Sequence, residues 1–248
     1  MYIKIWVKHE LKILLKKGYK MRVEDYYKLN NEQIEAFDEY AKMIIEWNKM
    51  INLTSITDMD EIELKHFIDS LTISKYIKDG EKVVDVGTGA GFPGIPLKIY
   101  NNTLNVTLVD SLNKRIKFLE NVIEKLKLSN VVAVHARAEE VGRSNKYRES
   151  FDVATSRAVA NLSVLVEYLL PLVKVGGKCI CMKGPNIEDE INGAKNAIKI
   201  LGGEIERIDN FELPNSDIKR NIIVINKTKK CDIKYPRKPG EPLKKPLI

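Results

Sequence analysis

The stretch Lys82-Val83-Val84-Asp85-Val86-Gly87-Thr88-Gly89-Ala90-Gly91-Phe92-Pro93-Gly94 reads as a buried strand that runs into a glycine-rich turn and then a helix start. Val83, Val84 and Val86 are β-branched and nearly continuous, the pattern of a central parallel strand covered on both faces. Gly87, Gly89 and Gly91 carry no Cβ, so the turn can take positive φ and a ligand can lie directly against the backbone. Pro93 suits a first helical turn, where its missing N–H is not needed. The product is a ligand site at the carboxyl end of a strand.

Downstream, strand and helix patterns alternate. Strands are predicted over 82–86, 105–110, 131–134, 151–155, 178–182, 204–212 and 221–225, with helices after Pro93 and over 112–127, 161–173 and 187–201. Only a short loop containing Pro214 separates the last two strands, too short for a helical crossover, so they pair antiparallel. The fold class is therefore α/β, a Rossmann-like sheet of about seven strands with one antiparallel edge strand.

Ahead of the sheet, a helix is predicted over 30–50. Asn30 caps it, Gln33 stands at the capping-box position, and Ile34, Phe37, Ala41, Ile44 and Trp47 follow helical spacing. A second helix is predicted over about 60–77, with His66 and Asp69 on one face, where they either face a ligand or, the favoured reading, form a hydrogen-bonded pair that positions the helix. The organisation expected is a basic extension over 1–20, a helical cap over 21–79, the sheet domain over 80–228 and a basic tail over 229–248.

Gly89-Ala90-Gly91-Phe92-Pro93-Gly94 also fits the dinucleotide pattern G-x-G-x-x-G, a weak match by itself. Asp85 beside the turn disfavours pyrophosphate and suits a ligand with an ammonium or sulfonium charge. Asp110, at the end of the next strand, is placed to accept hydrogen bonds from ribose hydroxyls. These residues point to a nucleoside ligand. Gly87, Asp110, Ala138, Glu139, Arg157 and Lys183 all occupy predicted strand ends, where open α/β sheets bind ligands.

The chain has 248 residues and a net charge of +7. No run of about 18 apolar residues occurs, and polar residues interrupt the basic N-terminus, so a cytoplasmic protein with no membrane contact is expected. Residues 1–20 carry six Lys against one Glu, and residues 227–248 carry eight Lys or Arg against two acids. Basic ends on a mildly acidic body suit a polyanion, with nucleic acid first. The three cysteines lack metal-ligating neighbours, so reduced structural thiols are expected and no metal.

The motifs together resemble one family. Trp47-Asn48-Lys49-Met50-Ile51-Asn52-Leu53-Thr54, His66-Phe67-Ile68-Asp69-Ser70, the stretch from Asp85 to Gly94, Asp110-Ser111, Ser156-Arg157-Ala158 and Tyr235-Pro236-Arg237-Lys238-Pro239-Gly240 are similar to the small-subunit ribosomal RNA methyltransferase G family, also called glucose-inhibited division protein B. The resemblance covers about residues 21–248 and implies a class I S-adenosylmethionine-dependent methyltransferase. It would methylate N7 of a guanine in 16S ribosomal RNA. Gly87, Phe92, Ala138, Glu139 and Arg157 would contact the cofactor, S-adenosyl-L-methionine; Gly89 and Asp110 join them on the reading of the turn and the strand end. Phe92 is a stacking surface for adenine or for an extruded guanine.

No catalytic base is expected, because guanine N7 has a lone pair and no proton. Arg237, Lys238, Lys244 and Lys245 are the expected RNA contacts, with 16S RNA or the small ribosomal subunit as partner and a monomer as the working form. The alternatives are a non-catalytic ribosome-binding factor and a nicotinamide-dependent oxidoreductase.

Overall fold

The computed structural model describes residues 21–157 and 159–247; the predicted extension over 1–20 lies outside them. The sheet is built from β1 (Lys82–Val86), β2 (Asn105–Asp110), β3 (Val131–His135), β4 (Phe151–Arg157), β5 (Val173–Lys183), β6 (Gly203–Glu212) and β7 (Lys219–Lys227), in spatial order 3-2-1-4-5-7-6. β1 pairs parallel with β2 and with β4, so it is the central strand its valines predicted. The antiparallel pair stands at one side of the sheet as expected, with β7 running opposite to both β5 and β6.

Alternation along each strand sorts the core into two layers. Val83, Val106, Leu108, Val153 and Ile180 face a layer shared with Phe37, Tyr40, Ile44, Phe67 and Phe118. Val84, Val86, Val109, Ala154, Cys179 and Cys181 face the other, packed against Leu165, Leu169, Ala197 and Ile198. Cys179, Cys181 and Cys231 are buried free thiols, and burial pushes Cys181 up to about 12, so all three act as small apolar groups. No described helix is long and apolar enough to cross a membrane.

α1 (Asn31–Ile51) begins on the predicted capping box: Asn30 accepts from the Gln33 N–H at 2.9 Å and Gln33 returns the bond at 2.9 Å. The helix predicted over 60–77 is instead assembled from pieces: α2 (Met59–Ile62), a π-helical turn Glu63–Ile68, α3 (Asp69–Leu71) and a 3-10 turn Ser74–Tyr76. A π-turn widens the ring of the helix and shifts its side chains; here His66 lies within it and Asp69 directly follows it. The remaining helices are α4 (Gly94–Tyr100), α5 (Asn113–Lys125), α6 (Ala138–Arg143), α7 (Leu162–Leu169), α8 (Glu188–Ile200) and α9 (Glu241–Lys244). The sequence pattern did not reveal α6, although Glu140 supplies its start by accepting from the Arg137 N–H at 2.9 Å.

The turn after β1 needs its glycines. Gly91 has φ +102°, and a Cβ there would stand 2.6 Å from Ile95 Cγ1 and 2.7 Å from the Tyr40 hydroxyl. Gly91→Ala is therefore expected to destabilise the fold by about 2–4 kcal/mol, the sum of left-handed strain and overpacking. Urea unfolding should show a lower midpoint at unchanged slope.

Candidate functional site

Strand β1 delivers its turn to the carboxyl edge of the sheet, and the turn is tied down from two sides. The N–H groups of Gly87 and Thr88 donate to the Val109 carbonyl at 2.8 and 3.1 Å. Beneath it, the fully buried Asp85 accepts from Thr88 Oγ1 at 2.6 Å and from the Gly94 N–H at 2.8 Å. Burial pushes the Asp85 carboxyl up to about 6, against the pull of those two donors. Its position corrects the reading of Asp85 as a charge offered to the ligand: the side chain braces the loop from behind and does not line the cleft.

Asp110 takes the outward role. Its Oδ2 accepts from the Gly89 N–H at 2.9 Å and from Arg115 at 3.2 Å, and its Oδ1 from the Leu112 N–H at 2.9 Å. A cleft of about 650 Å³ opens beside it, within the range of small-molecule sites. Gly87, Gly89, Phe92, Asp110, Ala138, Glu139 and Arg157 all line this cleft. Gly89 has φ +63°, and nothing lies within 4 Å of where its Cβ would be, so a ligand can rest on the bare backbone. These are the features a nucleoside-bearing ligand needs, and the residues present fit S-adenosylmethionine.

Lys183 is not part of it: its Nζ is held by the Ala160 carbonyl and by Glu190 at 2.7 Å, away from the cleft. A strand-end position brought five of the six converging residues together and misjudged this one, because β5 lies one strand farther from the crevice.

Arg157 at the end of β4 joins the cap to the sheet. Its Nη1 donates to the Lys65 carbonyl at 3.0 Å and to Asp69 Oδ2 at 3.3 Å, and its Nη2 meets His66 Nδ1 at 3.2 Å. A guanidinium can only donate, so His66 Nδ1 accepts, the proton sits on Nε2, and Nε2 donates to Thr54 Oγ1 at 3.0 Å. Burial and the Arg157 charge push His66 down to about 3, so the ring is neutral throughout the physiological range. His66 and Asp69 thus form no pair with each other; both bind Arg157. Asp69 also receives Arg220 Nε at 3.1 Å.

The Phe92 ring is 5 % exposed, stacked on His66 at 4.2 Å between centroids, with the Arg157 guanidinium 4.9 Å from its own. Phe92 lines the cleft in the company of these two neighbours. Sequence reasoning missed Tyr168, Gly240 and Leu243 among the lining residues. Tyr168 sits within an apolar helix pattern, and nothing local distinguishes it.

Of the expected RNA contacts, Lys238, Lys244 and Lys245 are exposed. Arg237 is paired with the buried carboxylate of Glu167, Nη2 to Oε2 at 2.6 Å.

The model of the family described as rRNA small subunit methyltransferase G matches residues 33–223. The chain belongs to that family. S-adenosylmethionine-dependent methyl transfer goes with the membership, and the oxidoreductase alternative is set aside. A ribosomal RNA small subunit methyltransferase G from Alkaliphilus metalliredigens is 49% identical over 240 residues, covering 96% of this chain and 99% of that protein. Another of the same name, from Acetivibrio thermocellus, is 56% identical over 220 residues, covering 88% of this chain and 90% of that one. Among solved structures, a SAM-dependent methyltransferase from Aquifex aeolicus has the same fold, with TM-score 0.51 at 18% identity over 70% of this chain and 96% of that one.

Gly87 has φ +69°, and a Cβ there would stand 2.6 Å from Val159 Cγ2 at the cleft wall. Gly87→Asp should weaken S-adenosylmethionine binding by about a hundredfold or more, through backbone strain and intrusion on the wall. Calorimetric titration, with circular dichroism to show an intact fold, is the check.

Proposed function

We propose that the cleft holds S-adenosylmethionine and that the protein transfers its methyl group to N7 of a guanine in 16S ribosomal RNA, working as a cytoplasmic monomer. The observation that carries this is the meeting of the glycine turn, Asp110 and Arg157 in one cleft, in a chain of this family. Gly87 and Gly89 offer bare backbone, Asp110 accepts from ribose hydroxyls, and Phe92, Ala138, Glu139 and Arg157 complete the contacts. When bound, the donor supplies an electrophilic methyl group on a sulfonium, and S-adenosylhomocysteine is the coproduct.

What the chain's own residues contribute is position. Of the titratable groups lining the cleft, His66 is neutral with both ring nitrogens engaged, Asp110 already accepts three hydrogen bonds, and Glu139 Oε1 accepts from the Gly240 N–H. Guanine N7 needs no base, having no proton to lose. Orientation at near-attack distance can by itself lower such a barrier by about 7 kcal/mol or more. Arg157 suits this task because Asp69, His66 and the Lys65 carbonyl fix its guanidinium and leave it little freedom.

Lys238, Lys244 and Lys245 stand exposed near the cleft and are the proposed phosphate contacts, with Arg237 fixing the segment that bears them. The substrate is 16S RNA, free or within the small subunit.

Single-turnover rates at saturating donor should stay within about twofold between roughly pH 6.5 and 8.5, since no group must lose a proton before attack. His66, at about 3, remains neutral across that window. A limb with slope one inside it would count against direct attack by N7. Replacing Lys238, Lys244 and Lys245 by Gln should lower the salt slope of RNA binding by about 2–3, near one per lost phosphate contact. An unchanged slope in a filter-binding series would remove them from the interface.

A further inference from the structure

One wall of the cleft comes from neither the sheet nor the cap. Gly240 and Leu243, beyond the last strand, line it beside Glu139 and Tyr168. Three attachments hold this segment in place. Arg237 makes a two-pronged pair with Glu167, Nη2 to Oε2 at 2.6 Å and Nε to Oε1 at 2.9 Å, and its backbone N–H donates to the same Oε1 at 2.9 Å. The Gly240 N–H donates to Glu139 Oε1 at 2.9 Å, so a residue of the cleft itself anchors the segment. Upstream, Arg148 donates to the carbonyls of Tyr235 at 2.6 Å, Cys231 at 2.8 Å and Asp232 at 3.0 Å.

A solvated basic tail would need none of this. Glu167 has no solvent exposure, and a charge buried so deeply must be paired. Gly240 turns the chain with φ +83°, and α9 begins there. Leu243 on α9 is left 66% exposed at the rim of the cleft. An apolar side chain so exposed, on a segment otherwise fixed by one ion pair to a buried carboxylate and by bonds to its backbone, suits contact with an apolar face of a ligand in that cleft.

We propose that residues 237–243 are a wall of the methyl-donor site, with Leu243 a direct contact to S-adenosylmethionine and Arg237 and Glu167 as positioning residues. This rests on the donor reading of the cleft given above. The same short segment carries the exposed Lys238 and Lys244, two of the residues proposed above to meet RNA.

The experiment is calorimetric titration of the full chain with S-adenosylmethionine and S-adenosylhomocysteine, comparing wild type with Leu243→Ser and with the double variant Arg237→Met, Glu167→Leu. The double variant replaces the ion pair with apolar groups, so no buried charge is left alone. Leu243→Ser should weaken both ligands about tenfold with an unchanged thermal midpoint, since an exposed side chain contributes little to folding. The double variant should weaken both ligands to a similar degree while its circular dichroism stays native. Affinities of Leu243→Ser within twofold of a wild type that binds normally would overturn the wall and leave the donor reading standing. A wild type that binds neither ligand would overturn both.

Discussion

The guanidinium of Arg157 sits where the N-terminal cap meets the carboxyl end of the sheet, and it is held by the Lys65 carbonyl, His66 and Asp69 at 3.0 to 3.3 Å. Asp69 is 2 % exposed and also accepts from Arg220 Nε on both of its oxygens, so one buried carboxylate ties β4, β7 and the cap together. Removing Asp69 would leave the Arg157 guanidinium without the carboxylate bonded to it, a loss of about 3–5 kcal/mol, whereas removing Arg157 would still leave Asp69 paired with Arg220. The π-turn at Glu63–Ile68 carries His66 and runs into Asp69, and both bind the same guanidinium. The cap is therefore fixed by the same side chain that lines the ligand cleft.

Two carboxylates near the glycine turn illustrate how burial divides labour between chemically equal groups. Asp85 is fully buried, holds the loop through Thr88 and the Gly94 N–H, and is pushed up to about 6. Asp110, at the end of the neighbouring strand, is oriented by the Gly89 and Leu112 N–H groups toward the cleft. The first shapes the backbone on which a ligand rests, and the second is the acceptor a ribose can use. A site of this design contributes orientation, which suits a nucleophile that carries no proton.

Much of the architecture was legible in the chain. The β-branched run before the glycines gave the central strand, the short Pro214 loop gave the antiparallel pair, and the Asn30 and Gln33 spacing gave the cap helix, because each depends on local rules of backbone geometry and hydrophobic alternation. The seven expected cofactor contacts meet in one cleft for a related reason: strand ends and loop motifs fix where a parallel sheet presents its ligand. The break in the helix predicted over 60–77 was not legible, and the segment that holds its π-turn is bonded to a guanidinium 92 residues away from Lys65.

The sequence by itself thus determined the fold class, the glycine turn and the family, all of which follow from neighbouring residues and short spacings. Tertiary structure alone decided which charges remain available. Arg237 looks like a site residue in a string of letters, yet it is held by Glu167, 70 residues away, a partner brought close only by folding; Lys183 and Asp85 are held by nearer partners, Glu190 and Thr88 with the Gly94 N–H. It also decided that Gly240 and Leu243 belong to the cleft. A buried charge must find its counter-charge wherever the chain returns to it, and no local pattern records where that is.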